Sequence, residues 1–214
     1  AVARAMLEAG VKVITSYPGS PTPEIAEALN SVPEEMRNYH FVWATNEKVA
    51  TEVAFGSSIN GNMSVVFFKS VGLNVASDSL VQLGLMNLTG GLVVIHGDDP
   101  GANSSQNEQD NRQYARAGKF PCFDPSDSEE ARRFVAIALE VSERFRTPVM
   151  LRTTTRLSHS KSAVEARVPS ERTFQPLAPF DREDGIDRVI IPAVARRRHP
   201  EIEARLAEVA AWAG

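Results

Sequence analysis

Tyr17-Pro18-Gly19-Ser20-Pro21 stands between a short β-rich run and a helical pattern. A second segment, Thr45-Asn46-Glu47-Lys48-Val49-Ala50, follows the next β-rich run and also opens a helix. In an open α/β sheet, ligands bind at the carboxyl ends of the strands. We therefore expect both segments at one edge of a parallel sheet, where a hydroxyl and a lone carboxylate share a cleft.

Apolar runs and helical patterns alternate along the first three quarters of the chain. Strands are predicted at residues 11–15, 41–43, 64–69, 92–96, 120–123 and 148–152. Helices are predicted at residues 2–9, 22–30, 46–59, 72–84 and 126–145, the last with Ser126 as its cap and Glu129 at the capping-box spacing. Continuously apolar strands that alternate with helices indicate a doubly wound, mostly parallel, six-stranded α/β sheet covered on both faces.

The domain organisation changes after residue 158. Residues 1–158 are predicted to form the α/β domain, and residues 159–188, where prolines alternate with charges, an extended linker or arm. Val189–Pro192 is expected to be a short strand, and Pro200–Ala213 a terminal helix with Pro200 in its first turn. Because the chain opens in a helical pattern without a methionine or a leading strand, we expect a fragment that continues into a further domain. A naturally short subunit is the alternative.

Composition limits the function classes. The chain is 43% hydrophobic and 23% charged, with a formal net charge of −4, which argues against a non-specific nucleic-acid binder. It has no apolar run of about 18 residues and no signal peptide, so we expect no membrane insertion and a cytoplasmic location. The single cysteine, Cys122, rules out an iron–sulfur or zinc-thiolate site built from this chain alone, and a buried inert thiol is expected.

Several polar residues at the predicted strand ends have both a structural and a functional interpretation. The hydroxyl of Ser20 or Thr22 would either cap a helix or help to bind an anion. Glu47 in a first helical turn gains about 0.3–1 kcal/mol from the helix dipole without any function. His96 fits a hydrogen-bonded structural role, and Asp98 and Asp99 lack a third ligand, so no metal site is predicted.

Other patterns exclude common sites. Gly72 stands at a strand-to-helix turn, where a missing side chain lets backbone approach a ligand. The segment around it lacks the spacing of a phosphate-binding P-loop, and the chain contains neither Gly-x-Ser-x-Gly nor Gly-x-Gly-x-x-Gly.

Taken together, the motifs resemble the N-terminal pyrimidine-binding domain of the thiamine-diphosphate-dependent 2-oxoacid:ferredoxin oxidoreductases. The branch most similar is that of the indolepyruvate ferredoxin oxidoreductase α subunit. Besides the two opening segments, the resemblance rests on the order of Lys69-Ser70-Val71-Gly72-Leu73-Asn74, Asp98-Asp99-Pro100-Gly101, Ser104-Ser105-Gln106-Asn107-Glu108-Gln109-Asp110, the run at 148–160 and the run at 192–200. It spans nearly the whole chain.

The resemblance implies roles for particular residues. Glu47 matches the catalytic glutamate that contacts N1′ of the cofactor's aminopyrimidine, where a shared proton favours the imino tautomer. Ser20 matches a threonine that contacts the substrate carboxylate, with Tyr17 and Gly19 beside it in the substrate loop. Gly19 replaces a bulkier residue, which would leave room for an aryl side chain. Pro18 and the segment Ser70, Gly72, Leu73 and Asn74 match positions near the cofactor.

The resemblance also implies what this chain lacks. An arginine that holds the substrate carboxylate in the pyruvate branch is absent from the stretch His96-Gly97-Asp98-Asp99, so another anchor is needed. The site for Mg²⁺ and the diphosphate, and the 4Fe-4S clusters, are expected on other domains or subunits. Expected partners are a pyrophosphate-binding domain or subunit, a β/γ-type subunit, ferredoxin, coenzyme A and the 2-oxoacid.

The expected reaction is the oxidative decarboxylation of an aryl 2-oxoacid, such as indolepyruvate, to an acyl-CoA. The alternatives are pyruvate, 2-oxoglutarate or phenylglyoxylate as the substrate, or a non-catalytic scaffold subunit.

Overall fold

The computed structural model describes residues 1–179, 185 and 188–214. Its centre is a parallel sheet of six strands: β1 (Val13–Ser16), β2 (His40–Trp43), β3 (Ser64–Lys69), β4 (Leu92–Asp98), β5 (Cys122–Phe123) and β6 (Val149–Thr154). Their order across the sheet is β2-β1-β3-β4-β6-β5, and every neighbouring pair is parallel. The predicted doubly wound α/β fold is confirmed.

Helices cover both faces of this sheet. They are α1 (Val2–Ala9), α2 (Pro23–Asn30), α3 (Glu47–Ile59), α4 (Gly72–Leu83), α5 (Arg112–Gly118), α6 (Ser128–Phe145), the short α7 (Thr155–Ser158) and α8 (Pro192–Ala213), with a 3-10 turn at Glu34–Met36. One core packs α1, α2 and α6 on the sheet, and a second packs α3, α4 and α5 on the opposite face. Central β3 and β4 are buried on both faces, which explains their continuous apolar sequences.

The order of the strands places a crevice at a defined point. From β1 the chain first moves to β2 on one side, and then returns across β1 to β3 on the other side. Such a reversal opens a crevice at the carboxyl ends of the two diverging strands, here β1 and β3. Helix α3 lies over this point. The hydroxyl of Thr15 in β1 donates a hydrogen bond to the carbonyl of Ala50 in α3 at 2.7 Å and so ties the helix to the strand.

The cap of α6 differs by one residue from the prediction. Asp127, rather than Ser126, is the N-cap, and its carboxylate accepts a hydrogen bond from the Glu130 amide at 2.8 Å. The Glu130 carboxylate in turn accepts from the Ser126 amide at 2.7 Å. Because an aspartate can cap a helix as well as a serine, the sequence alone allowed either of the two adjacent residues to be the N-cap.

Two predictions near the carboxyl terminus are wrong. The described residues from 188 to 192 form no strand, and the terminal helix begins at Pro192 rather than Pro200. Proline suits a first helical position because it has no N–H to leave unpaired, and Pro192 takes that place. Pro200 lies inside α8, where burial of Val194 and Ile202 on either side of it holds the helix against the domain.

Residues 160–179 of the predicted arm form neither helix nor strand and make contacts with the domain; residues 180–184 and 186–187 of the arm are outside the described residues. The Ser170 amide donates to the Glu8 carbonyl at 3.0 Å, and Arg172 pairs with Glu143 at 2.9 Å. The Gln175 amide donates to the Asn62 side chain at 2.9 Å. Within the described ranges, no helix has the length and apolarity required to cross a membrane.

Candidate active site

The loop after β1 carries the predicted substrate-binding residues. Tyr17 is 37% exposed, Pro18 is exposed, and Gly19 and Ser20 are half-buried. The hydroxyl of Thr22 does not cap α2, because it donates to the Gly19 carbonyl at 2.9 Å. The Ser20 hydroxyl has no hydrogen-bond partner among the described residues, so it is available to a ligand.

Glu47 is the first residue of α3, positioned by the cap before it. The side chain of Asn46 accepts a hydrogen bond from the Val49 amide at 2.9 Å, which fixes the start of the helix. Glu47 is only 9% exposed. Across the described part of the chain, no side chain or amide donates a hydrogen bond to its carboxylate, and no cation pairs with it. A carboxylate that is mostly shielded from water and has no protein partner is available to a ligand.

Gly72 lies directly against this carboxylate. A Cβ atom at position 72 would stand 2.5 Å from Oε1 of Glu47 and 2.7 Å from its Cγ. The close approach continues along the two helices, where the fully buried Ala50, Ala54 and Ala76 allow α3 and α4 to pack tightly. The missing side chain of Gly72 therefore provides the space that Glu47 occupies.

A second close approach joins the loop after β1 to the end of β3. A Cβ atom on Gly19 would lie 2.7 Å from Cβ of Lys69 and 3.1 Å from its Cδ. The space that the sequence suggested for an aryl side chain beside Gly19 is thus occupied by the stem of Lys69. The Lys69 ammonium makes one long contact, 3.4 Å to the Ser104 carbonyl.

The predicted cofactor segment after β3 is held by polar side chains from the α5 region. Asn111 donates to the Ser70 carbonyl at 3.1 Å and to its hydroxyl at 3.2 Å. The Asn74 and Gln109 amides exchange two hydrogen bonds, of 3.0 and 2.9 Å. Leu73 is completely buried in the core between α3 and α4, so its contribution to the site is packing beneath the turn.

Asp98 is the centre of a buried polar network at the end of β4. Its carboxylate accepts hydrogen bonds from Asn111 Nδ2 at 2.6 Å and Arg152 Nε at 2.7 Å, and contacts His96 Nδ1 at 3.1 Å. Burial alone would raise the pKa of Asp98, but the hydrogen bonds from His96, Arg152 and the Asn111 amide outweigh it and hold the pKa below its usual range. His96 thus has the structural partner that its sequence position suggested.

Asp99 accepts hydrogen bonds from several neighbouring donors. The Ser104 amide donates to it at 2.7 Å and the Thr155 hydroxyl at 2.8 Å. The hydrogen bond from the Ser104 backbone amide is the main reason that the pKa of Asp99 lies well below its usual range. Among the described residues, no group of three or more His, Cys, Asp or Glu side chains is arranged to hold a metal ion.

The structure brings predicted segments together in two pairs that the sequence analysis did not name. Glu47 meets the Gly72 turn, and the Gly19 loop meets the end of β3. Within the described ranges, no hydrogen bond joins Ser20 or Tyr17 to Glu47. Sequence reasoning assigned no role to Lys69, Asn111 or Arg152. The only sequence signal for Asn111 was the polar run that ends beside it, and Arg152 had none.

Comparisons with known proteins identify the family. The model of the family described as "Pyruvate flavodoxin/ferredoxin oxidoreductase, thiamine diP-bdg" matches residues 4–206. The chain is 44% identical over 202 residues to "Indolepyruvate oxidoreductase subunit IorA" of Methanothermobacter marburgensis, covering 94% of this chain and 32% of that protein. It is 39% identical to the protein of the same name from Archaeoglobus fulgidus, covering 98% of this chain and 34% of that protein.

A solved structure shares the fold. It is a 2-oxoglutarate:ferredoxin oxidoreductase from Magnetococcus marinus with 2-oxoglutarate, coenzyme A and succinyl-CoA bound, and it matches 97% of this chain and 43% of its own with a TM-score of 0.73. At 16% identity, this likeness establishes the fold alone. The chain spans about a third of the length of the curated relatives it matches. The match over residues 4–206 and the identity to these relatives confirm the resemblance seen in the sequence, and the chain belongs to the thiamine diphosphate-binding family of the pyruvate flavodoxin/ferredoxin oxidoreductases.

Proposed function

We propose that this chain is the pyrimidine-binding part of a thiamine-diphosphate-dependent enzyme that oxidatively decarboxylates a 2-oxoacid to an acyl-CoA, with ferredoxin as the electron acceptor. The observation that carries the proposal is the Glu47 carboxylate, which is 9% exposed and has no partner in the described part of the chain. Gly72 leaves the room that this carboxyl group needs at the crevice between β1 and β3.

The residues present fit an aminopyrimidine. Thiamine diphosphate, when bound, supplies a thiazolium carbon that adds to the keto carbon of the substrate and lets the carboxylate leave as CO₂. Glu47 would hold a proton at N1′ of the aminopyrimidine, a position that needs a carboxyl group in a site with little water. Gly72 and the turn from Ser70 to Asn74 would lie along the ring, and the Ser20 hydroxyl would donate a hydrogen bond to the substrate carboxylate.

The remaining parts of the enzyme must come from other domains or subunits. We assign the Mg²⁺ and diphosphate site to a pyrophosphate-binding domain or subunit, and the 4Fe-4S clusters to another part of the same complex. Coenzyme A and ferredoxin would act there as acyl and electron acceptors. We place this assembly in the cytoplasm as part of the same proposal.

We infer an aryl 2-oxoacid such as indolepyruvate as the substrate. The support is that the two curated relatives compared here, at 44% and 39% identity, both carry the name indolepyruvate oxidoreductase subunit. Pyruvate, 2-oxoglutarate and phenylglyoxylate are the competing substrates, and a panel of these four acids in the complete enzyme, compared by kcat/KM, decides among them.

The experiment that tests the function is Glu47→Gln in the complete enzyme. We expect turnover to fall by about 100-fold or more, because the amide cannot hold the proton, while the complex still assembles. The matched control is Glu27→Gln, which removes the same charge from an exposed position on α2 and should leave turnover unchanged. Turnover of the Glu47→Gln enzyme within about twofold of the wild type would contradict the role of Glu47 and favour a scaffold subunit.

A further inference from the structure

We propose that Lys69 supplies the positive charge that anchors the carboxylate of the 2-oxoacid, beside the Ser20 hydroxyl. The inference rests on the proposed function and adds to it a specificity-determining residue of this chain. It is carried by the position of Lys69 against Gly19 and by the absence of an acidic partner for its ammonium among the described residues.

The sheet places Lys69 beside the substrate loop. Ser16, the last residue of β1, is paired with Phe67 of β3, so the two strands end next to each other. Lys69 follows Phe67 by two residues and ends β3. Its Cβ would lie only 2.7 Å from a Cβ on Gly19, which means that the lysine stem lies along the backbone of the loop. Any side chain at position 19 would displace this stem.

The ammonium of Lys69 has capacity left for a ligand. A lysine has three N–H donors, and in the described part of the chain only the Ser104 carbonyl accepts from this one. That contact measures 3.4 Å, which is long for a hydrogen bond. No carboxylate of the described residues pairs with Lys69, although Asp98 ends the neighbouring strand β4 and Asp99 comes directly after it.

Three other cations at this edge of the sheet form ion pairs with carboxylates. Lys48 pairs with Asp78 at 2.7 Å. Arg112 pairs with Asp110 at 2.8 Å. Arg152 pairs with Asp98 at 2.7 Å and with Asp124 at 3.0 Å.

Two cations remain as competitors among the described residues at this edge. Lys161 lines a cavity of about 290 Å³ that also includes Pro21 and residues of α2. The other is Arg156. It is exposed and lines a cavity of about 490 Å³ together with Pro100, Asn103, Thr154, Thr155 and His159, and none of the residues of the Gly19 loop line that cavity. Lys69 lies directly against Gly19, the residue before Ser20, and we therefore take it as the cation that meets a carboxylate contacted by Ser20.

Lys69 and Ser20 would both bind the carboxylate of the substrate, each in a different way. The ammonium gives a charge-assisted hydrogen bond and long-range attraction, and the serine hydroxyl gives a directed hydrogen bond. A neutral molecule of the same shape would lose the charge-assisted contact while keeping the others. The proposal therefore predicts a specific loss of discrimination between a 2-oxoacid and its uncharged amide.

The test compares inhibition constants in the complete enzyme. The competitive inhibition constant of a non-reacting 2-oxoacid analogue is divided by that of its primary amide, for the wild type and for Lys69→Met. Methionine keeps an unbranched stem against Gly19 but removes the charge. The controls are Lys48→Met, which removes the charge of a paired lysine, and Arg156→Met, which removes a competing cation. Thiamine diphosphate affinity is measured for each variant by calorimetry.

We expect the wild type to prefer the acid by about tenfold or more, and Lys69→Met to bind acid and amide about equally. Lys69→Arg should keep most of the preference, and both control variants should keep all of it. A preference retained in Lys69→Met, or lost in Arg156→Met instead, overturns the role of Lys69. A Lys69→Met enzyme that does not assemble is replaced by Lys69→Gln, to which the same expectations apply.

The outcome also separates this inference from the proposed function. A wild-type enzyme that requires thiamine diphosphate and oxidises a 2-oxoacid, combined with an unchanged ratio in Lys69→Met, rejects Lys69 alone. A wild-type enzyme that binds neither thiamine diphosphate nor a 2-oxoacid rejects both.

Discussion

Gly72 and Glu47 form a complementary pair: the carboxyl group of Glu47 occupies the space where a side chain at position 72 would begin. A Cβ there would stand 2.5 Å from Oε1, 2.7 Å from Cγ and 2.9 Å from Cδ of Glu47. Neither residue alone indicates a site, since a glutamate in a first helical turn and a glycine at a strand end are common. Their contact links the start of α3 to the start of α4 at the crevice of the sheet.

Gly72→Ala should weaken thiamine diphosphate binding by about tenfold or more, because the new Cβ must push the Glu47 carboxyl out of place. The overlap costs about 1–3 kcal/mol, whereas alanine in a helix gains at most about 1 kcal/mol over glycine, so net stability should fall. Calorimetry of cofactor binding to the complete enzyme and thermal unfolding of the chain measure the two effects.

Gly56→Ala is the matched control for this substitution. Gly56 lies within α3, and a Cβ there would meet nothing within 4 Å. This variant should gain up to about 1 kcal/mol of stability and keep its cofactor affinity. Equal cofactor affinity in the Gly72→Ala and Gly56→Ala enzymes would show that the contact with Glu47 is unimportant.

Asp98→Ala should destabilise the chain by about 3 kcal/mol at neutral pH, since the buried backbone amide of Asn111 loses its acceptor and Arg152 keeps only Asp124 as a carboxylate partner. The pKa of Asp98 is lowered in the folded state, so its contribution is fully present above the unfolded pKa of about 3.9. The contribution is lost as the pH falls through the folded value.

Urea unfolding at a series of acid pH values measures this dependence. The difference in unfolding free energy between the wild type and Asp98→Ala should shrink as the pH is lowered below about 4. A difference that stays constant from pH 7 into this acid range would mean that the charge of Asp98 does not stabilise the network.

Arg205→Ala should release α8 from the domain and cost about 2–3 kcal/mol of unfolding free energy. Its guanidinium donates to the Gly84 carbonyl at 2.7 Å and to the Asn87 side chain at 3.2 Å, and burial lowers its pKa to about 10. Arg196→Ala, at an exposed position on the same helix, should change stability little. Hydrogen exchange in α8 reports the release, and similar exchange in both variants would contradict the anchoring role.

Cys122 should resist alkylation in the folded chain. Burial, with the Asp124 carboxylate nearby, raises the pKa of its thiol to about 12, so almost no thiolate exists at pH 8. Mass spectrometry after treatment with iodoacetamide should find the folded chain unmodified and the urea-unfolded chain modified. Equal rates of modification in the two states would show that the thiol is not protected.

The fold was predictable because the information for it is local. The short, continuously apolar runs that form β3 and β4 favour strands buried on both faces, and the alternating helices indicate a parallel sheet. Local sequence signals were less able to show at which residue a helix begins. Pro192 and Pro200 both suit a first turn, and only the packing of Val194 and Ile202 shows which one begins α8.

The candidate site was predictable in part for a related reason. Parallel strands bring their carboxyl ends to one edge, so the segments that follow β1, β2 and β3 were expected at the same edge of the sheet. The contact of Glu47 with Gly72 lies at that edge. The contact between Gly19 and Lys69 joins a backbone and a side chain 50 positions apart in the sequence, and no local pattern encodes it. The same is true of Asn111, which reaches both Ser70 and Asp98 from a region without helical or strand periodicity before α5.

Calorimetric titration of thiamine diphosphate with Mg²⁺ tests the central claim, that this chain forms half of a cofactor site around Glu47. The titration is carried out on this chain alone and on the complete enzyme, each as wild type and as Glu47→Gln. We predict no measurable binding to the chain alone, because the diphosphate and Mg²⁺ site lies elsewhere. The complete enzyme should bind the cofactor, and the Glu47→Gln enzyme should bind it more weakly. Absence of binding to the complete wild-type enzyme would contradict the account and leave Glu47 as a residue that only stabilises the start of α3.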